Sequence, residues 1–485
     1  MLADKVGGVQ WRAGRDPERV PRVRSPQPLI STRVRSGRGA TEQPNASGDD
    51  TAPLTPIFWL LVVLVGVATG LMGAALMWVL RSFQHLFYGY HGGSFGVAAD
   101  HAWPVRRLIV LVVAGAICGP AWYVLRRVTA GESSDLDDEL WTGTGKLSFR
   151  RSLGTSVLSE FAVGAGASLG REAAPKLMGG AVASVLATWR DLTPQQRRLL
   201  VACGGGAGMG AVYNVPLGGA LIAAELLYGS LALPVILPAL ACSWIATAVS
   251  WIYLPTTATY VSIPSYPLRA TLVVFTFVAG PLIGLVAVGY IRLIGWVSYY
   301  RAAGRWLLVA PLGAFTILGV LALRYPLLLG NGRYPAQLAF LGIGGSALTL
   351  LVLIALKPLV TAMCVGSGVT GGLFTPTLAT GAMLGLLLGR AWTHLWPGSP
   401  LGAYAVIAAA AMIGSSMQAP LAALALMVEL TRTTDDLIVA MIAATVLAAV
   451  VVRYLDGYSI YSSRLPKRSD SRRGERAATP AGERL

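Results

Sequence analysis

The chain has 485 residues, of which 54% are hydrophobic and only 13% charged, and its mean hydropathy is +0.60. That balance excludes a soluble globular core and describes a polytopic membrane protein, all-α in class. The net charge of +16 does not point to nucleic acid, because most of it lies outside the apolar runs, and cytoplasmic loops and tails carry Lys and Arg.

Residues 1–53 combine many arginines with Pro, Ser, Gly and Asp and show no apolar periodicity, so they read as a disordered basic tail. They are no secretory signal, since no apolar core closely follows the first basic residues. Residues 466–485 form a second, shorter basic tail. With both tails cytoplasmic, the number of full crossings is expected to be even. Between them, residues 54–465 form one membrane domain. Its apolar runs lie at 57–83, 108–128, a Gly-rich region through 187, then 199–213 and 217–228, broken by Asn214-Val215-Pro216. Further runs follow at 231–254, 270–297, 306–323, 337–364, 373–392, 403–415, 419–431 and 437–455. Several are too short for a clean crossing, and many are broken by Gly or Pro. Re-entrant and half-length helices are therefore expected, their broken backbone lining a protected cavity. The 57 glycines suit close helix packing. Cys118, Cys203, Cys242 and Cys364 all sit in apolar segments, without metal-ligand or disulfide spacing. The four histidines are scattered, and no metal site or organic cofactor is indicated.

The stretch from Gly164 to Gly180 organises the rest. It lies in an apolar run, yet holds Gly170, Arg171 and Glu172 side by side. Charges at membrane depth are costly and face a pathway or cavity. Glycines ahead of Glu172 permit a tight non-helical approach, and Ala173-Ala-Pro-Lys-Leu-Met then reads as the start of a helix with Pro175 tolerated in its first turn. A helix N-terminus offers unpaired N–H groups and partial positive charge, which is an anion site. A carboxylate there occupies the site as its own plug.

The two halves repeat. Asn214-Val-Pro-Leu-Gly-Gly-Ala-Leu-Ile-Ala-Ala-Glu225 matches Gln418-Ala-Pro-Leu-Ala-Ala-Leu-Ala-Leu-Met-Val-Glu429, with Glu429 falling 204 residues after Glu225. Pro376 falls 201 residues after Pro175. This predicts a duplication, about 54–255 and 256–465, of the inverted kind in which broken helices meet at a midplane site. The second half supplies Gly366-Ser-Gly-Val-Thr-Gly-Gly-Leu-Phe-Thr-Pro376, rich in free N–H groups and without charge. Together the two segments are predicted to bind a small anion.

These residues resemble the CLC family of chloride channels and chloride/proton exchangers. The resemblance rests on Gly170-Arg171-Glu172, on Gly372, Phe374 and Pro376 of a Gly-x-Phe-x-Pro pattern, on Asn214-x-Pro-Leu, on Glu429-Leu-Thr and on Ser459-Ile-Tyr461, and runs from about 57 to 465. It implies an inverted-repeat fold of tilted and re-entrant helices, a homodimer with one pore per subunit, and a multi-pass protein of the bacterial inner membrane rather than an enzyme. By the same resemblance Glu172 is the gate. Leu373 and Phe374 bind chloride through backbone N–H groups, and Tyr461 holds the inner side of the ion with an uncharged hydroxyl that lets it leave.

Two departures bear on function. The family's Gly-Ser-Gly-Ile-Pro motif is missing. An ungapped count from Glu172 places Gly131 at the serine position, so the hydroxyl ligand is either lost or supplied by Ser133 or Ser134. Exchangers of the family carry an inner glutamate where this chain has Leu226, which cannot relay a proton. The expected function is therefore chloride transport weakly coupled or uncoupled to protons, with antiport as the alternative. Other residues have plainer readings as well. Glu172 also reads as the neutralising partner of Arg171; Glu225 and Glu429 read as structural anchors; Tyr461 is either a ligand or an aromatic-belt residue. Lys357 reads as snorkelling or paired with a carboxylate, and the acidic run Asp135–Glu139 as a solvated loop or helix start.

Overall fold

The computed structural model of this chain describes residues 54–90, 94–141, 143–432 and 435–465. The tails expected at 1–53 and 466–485 lie outside the described residues. Among the described residues the chain is helical, with one isolated β-bridge and no strand.

Local chemistry sets the helix starts. Thr55 caps α1 (Pro56–Tyr88): its hydroxyl accepts the Phe58 N–H at 3.2 Å, and Pro56 takes the first position, where no N–H is needed. Helices α2 (Phe95–His101), α3 (Pro104–Val128), the short α4 (Leu136–Trp141), α5 (Phe149–Gly164) and α6 (Ala173–Trp189) follow. Helix α7 (Pro194–Tyr213) opens on a reciprocal capping box between Thr193 and Gln196. Helix α8 (Pro216–Leu221) continues as a π-helix over Ile222–Tyr228, and α9 (Leu233–Ser250) closes the first half. The second half holds α10 (Ala270–Tyr299), α11 (Ala310–Arg324), α12 (Arg333–Phe340), α13 (Ala347–Gly366), α14 (Phe374–Leu395), α15 (Leu401–Met417), α16 (Pro420–Thr431) and α17 (Ile438–Leu455). The apolar run 337–364 is thus two elements. Gly342, at φ +74°, turns the chain between α12 and α13.

Among the described residues, seven helices are long and apolar enough to cross a membrane, among them Pro56–Tyr88, Ala270–Tyr299 and Ile438–Leu455. Their outer faces are oily: Trp78, Phe277, Leu285 and Val450 are each more than half exposed. Such faces are stable only in lipid. The protein is an integral, multi-pass membrane protein. Shorter apolar helices lie inside, and α15 is almost wholly buried.

The repeat is visible in the backbone. Helices α5 and α13 end at Gly164 and Gly366, and each is followed two residues on by a left-handed glycine, Gly166 (φ +107°) and Gly368 (φ +91°). Asn214 (φ 58°) and Gln418 (φ 53°) close α7 and α15 in the same left-handed turn. Gly170 and its counterpart Gly372 pair with each other in the antiparallel bridge. Equivalent residues that contact one another lie on a two-fold relation, as an inverted repeat requires.

Glycines on α6 and α7 let the two backbones touch: a Cβ on Gly179 would lie 2.0 Å from the Gly204 carbonyl oxygen. Gly180 and Gly205 leave a notch that Leu136 fills, since a Cβ at either would come within 3.0 Å of a Leu136 methyl. That seating fixes α4 against α6 and α7.

Candidate anion site

The site forms where two broken segments meet. The Gly170 N–H donates to the Gly372 carbonyl at 2.7 Å, and the Gly372 N–H to the Gly170 carbonyl at 2.8 Å. Both positions must be glycine, because a Cβ on either would stand 2.1 Å from a carboxylate oxygen of Glu172. The pairing aims the N-termini of α6 and α14 at one point, where first-turn N–H groups lack helical partners.

Glu172 occupies that point and is 2% exposed. Its Oε1 accepts the backbone N–H of Phe374 at 2.8 Å. Its Oε2 accepts the Tyr213 hydroxyl at 2.9 Å and the Thr375 hydroxyl at 3.3 Å. A carboxylate held by one main-chain N–H and two hydroxyls fills a place equally suited to a small anion. Arg171 does not neutralise it. The guanidinium lies over the Tyr213 ring, 4.9 Å from its centroid, and Nη2 reaches the Val212 carbonyl at 3.5 Å. Arg171 also lines a cavity of about 1020 Å³, together with Arg81, His85 and Arg333. No Asp or Glu is among the described residues of that lining, so the cavity favours anions.

The other sequence-derived residues are placed as follows. Phe374 reaches Glu172 through its backbone N–H, while its ring packs on Tyr213 with centroids 5.9 Å apart. Leu373 precedes it at the cap of α14, and Pro376 sits in the first turn. Tyr461 is 6% exposed, and its segment is tied in where the Ile460 N–H donates to the Ser416 carbonyl at 2.8 Å. That burial replaces the aromatic-belt reading. Gly131 turns the chain at φ +85°. The Ser133 carbonyl accepts the Ser148 N–H at 3.0 Å, and the Ser134 hydroxyl accepts from Arg151 Nε at 3.2 Å. All three join α3 to α4 and α5; the hydroxyls that reach Glu172 are those of Tyr213 and Thr375. Lys357 neither snorkels nor meets a carboxylate: it is fully buried and donates to the carbonyls of Leu328 and Gly330 at 2.9 and 2.8 Å. The acidic run does begin a helix, but Asp137 is largely buried and binds Lys176 at 2.9 Å.

Voltage gated chloride channel sequences are matched by residues 114–453 of this chain. The chain belongs to that family. A ClcB-like chloride channel protein of Ralstonia nicotianae is 30% identical over 435 residues, covering 86% of this chain and 99% of the relative. The voltage-gated ClC-type chloride channel ClcB of Escherichia coli strain SMS-3-5 is 30% identical over 84% of this chain and 99% of its own. The same fold is seen in a slow cyanobacterial Cl⁻/H⁺ antiporter, with a TM-score of 0.74 and 22% identity over 87% of this chain and all of that one. A CLC-type fluoride/proton antiporter aligns with a TM-score of 0.68 and 19% identity, over 84% of this chain and 98% of that one.

In this CLC chain the paired glutamates are structural, and reciprocal. Glu429 accepts the N–H groups of Leu217 and Gly218 at 3.0 and 2.6 Å, while Glu225 accepts those of Leu421 and Ala422 at 3.3 and 2.7 Å. Each half thus caps the other's Pro-led helix. Glu225→Ala and Glu429→Ala are expected to cost about 1–2 kcal/mol each, read as lower thermal midpoints in detergent. Unchanged midpoints for both would show that the caps contribute nothing.

Proposed function

We propose that this chain carries chloride across the membrane past Glu172, with little or no coupling to protons. The observation that supports it most is the Glu172 carboxylate held on the Phe374 N–H and two hydroxyls, at the meeting point of two helix N-termini. In this reading chloride replaces the carboxylate on the backbone N–H groups of Leu373 and Phe374, and leaves past Tyr461. Gly131 can offer only backbone, so a hydroxyl from that loop would come from Ser133 or Ser134. The protein acts as a homodimer with separate pores in a bacterial inner membrane, both termini cytoplasmic. Mass photometry in detergent that gave only monomer would count against the dimer.

Weak coupling is inferred from Leu226, buried in the π-helical turn, where a proton route needs a titratable side chain. Antiport is kept as a second reading by one observation. Glu160 on α5 is fully buried, neither of its carboxyl oxygens has a partner, and it lies within electrostatic reach of Glu172 and Arg171. Liposomes read with chloride and pH electrodes together separate the two. Chloride efflux is expected to move few protons, and Leu226→Glu to add proton movement. A fixed chloride-to-proton ratio in the wild type, lost in Glu160→Gln, would replace the first reading by the second.

A further inference from the structure

Lys176 stands one helical turn after Glu172 in α6. Its ammonium reaches both oxygens of Asp137, at 2.9 and 3.1 Å, and lies 4.5 Å from the Tyr461 ring centroid. The lysine side chain is 10% exposed and the aspartate's 15%, so the pair is largely out of water without being sealed from it. Tyr461 is within electrostatic reach of both Glu172 and Asp137. Neither Lys176 nor Asp137 lines the basic cavity that Arg171 lines. The pair is therefore a second charged feature one helical turn from Glu172, separate from that cavity.

An ion pair in this position is a poor stabilising device, because desolvation offsets most of the attraction. It is a good adjustable cation. A bare ammonium beside the route would hold an anion too firmly for it to leave, whereas passage needs binding that is favourable but weak. A carboxylate partner lowers the net attraction without removing the donors. The lysine stem is flexible and its three N–H groups rotate, so the ammonium can turn from a carboxylate oxygen to an ion without moving the backbone. Asp137 has less freedom, because Leu136 is locked in the notch between Gly180 and Gly205.

We propose that Lys176 is an anion-binding residue restrained by Asp137: a small inorganic anion arriving beside Tyr461 displaces the carboxylate and takes the ammonium. The inference rests on the reading that an anion route passes Glu172 and Tyr461. It assigns to a charged side chain the role for which this chain lacks the serine motif.

The competing structural role makes the opposite forecast for one variant, which decides the matter. Chloride binding is measured by calorimetry with sodium chloride on purified full-length protein, and chloride efflux in liposomes. Lys176→Met is expected to weaken chloride binding about tenfold or more, as loss of a charge-assisted contact does. Lys176→Arg keeps a cation and is expected to retain most of the binding. Asp137→Asn frees the ammonium and is expected to tighten chloride binding at least about threefold while slowing efflux. Equal weakening by Lys176→Met and Asp137→Asn would reduce the pair to a structural bridge, and unchanged binding in Lys176→Met would overturn the proposal outright. Should Lys176→Met fold poorly, the double variant Lys176→Met/Asp137→Asn leaves no unpaired charge, and its binding is read in its place. If the wild type moves no chloride, the transport reading itself falls. If it does, and only these variants are silent, the failure belongs to Lys176 alone.

Discussion

Liposomes carrying Glu172→Gln are expected to release chloride at a rate that hardly varies with pH, whereas wild-type efflux rises as the solution is acidified. The sign follows from the bonds Glu172 makes. Ionised, it accepts the Phe374 N–H and the hydroxyls of Tyr213 and Thr375, and so holds the place an anion needs. Hydrogen bonds to a charged acceptor contribute about 1.5–3 kcal/mol, roughly twice a neutral one. Protonation removes that advantage, and the carboxyl yields to chloride. Gln imitates the protonated form, and Glu172→Ala removes the side chain altogether. Both therefore leave the place to the ion at every pH, and both variants should exceed the wild type most clearly at neutral and alkaline pH. Efflux at a series of pH values, equal inside and outside, tests this. A Glu172→Gln profile superimposable on the wild type would show that Glu172 is not the gate.

Gly372→Val is expected to abolish measurable chloride binding, while Leu373→Ile and Phe374→Leu weaken it less than about threefold. A Cβ on Gly372 would stand 2.1 Å from Glu172 Oε1, inside the space the carboxylate or an ion requires. Its added bulk also strains the bridge to Gly170, which aims α14 at the site. Losing one charge-assisted N–H contact alone corresponds to about tenfold or more in affinity, and here the space goes as well. Leu373 and Phe374 offer main-chain groups, which a change of side chain leaves in place. The Phe374 ring supports Tyr213, so Phe374→Leu is expected to be the costlier of the two mild changes. Isothermal titration ranking Phe374→Leu above Gly372→Val in damage would move the site from backbone to side chains.

Much of the site was legible in the chain because its chemistry is local. Glycines at 170 and 372, an acidic residue after the first and a proline just after the second specify two helix starts wherever they are placed. The repeat was legible too, since matched Pro-to-Glu spacings survive in both halves. The plain reading of Glu225 and Glu429 as anchors agrees with the structure, but not its reciprocity: each reaches across about 200 residues to cap the other half. The surroundings of Lys357 are not legible in the chain, because its partners are carbonyls some 28 residues earlier, and carbonyls leave no mark in a sequence.

What the sequence determined by itself is the class, the family and the two glycine-led helix starts that form the candidate site. Hydropathy, glycine and proline placement act over one or two helical turns and need no distant partner. What only the tertiary structure decided is which polar groups converge. Tyr213 reaches Glu172 from 41 residues away and Asp137 reaches Lys176 from 39. The Ser134 hydroxyl meets Arg151 of α5, and Tyr461 is buried beneath a lysine instead of lying in a lipid interface. In a membrane interior each buried polar group must find a partner. Which partner it finds depends on how the glycine-lined helices pack, and that is a property of the assembled fold.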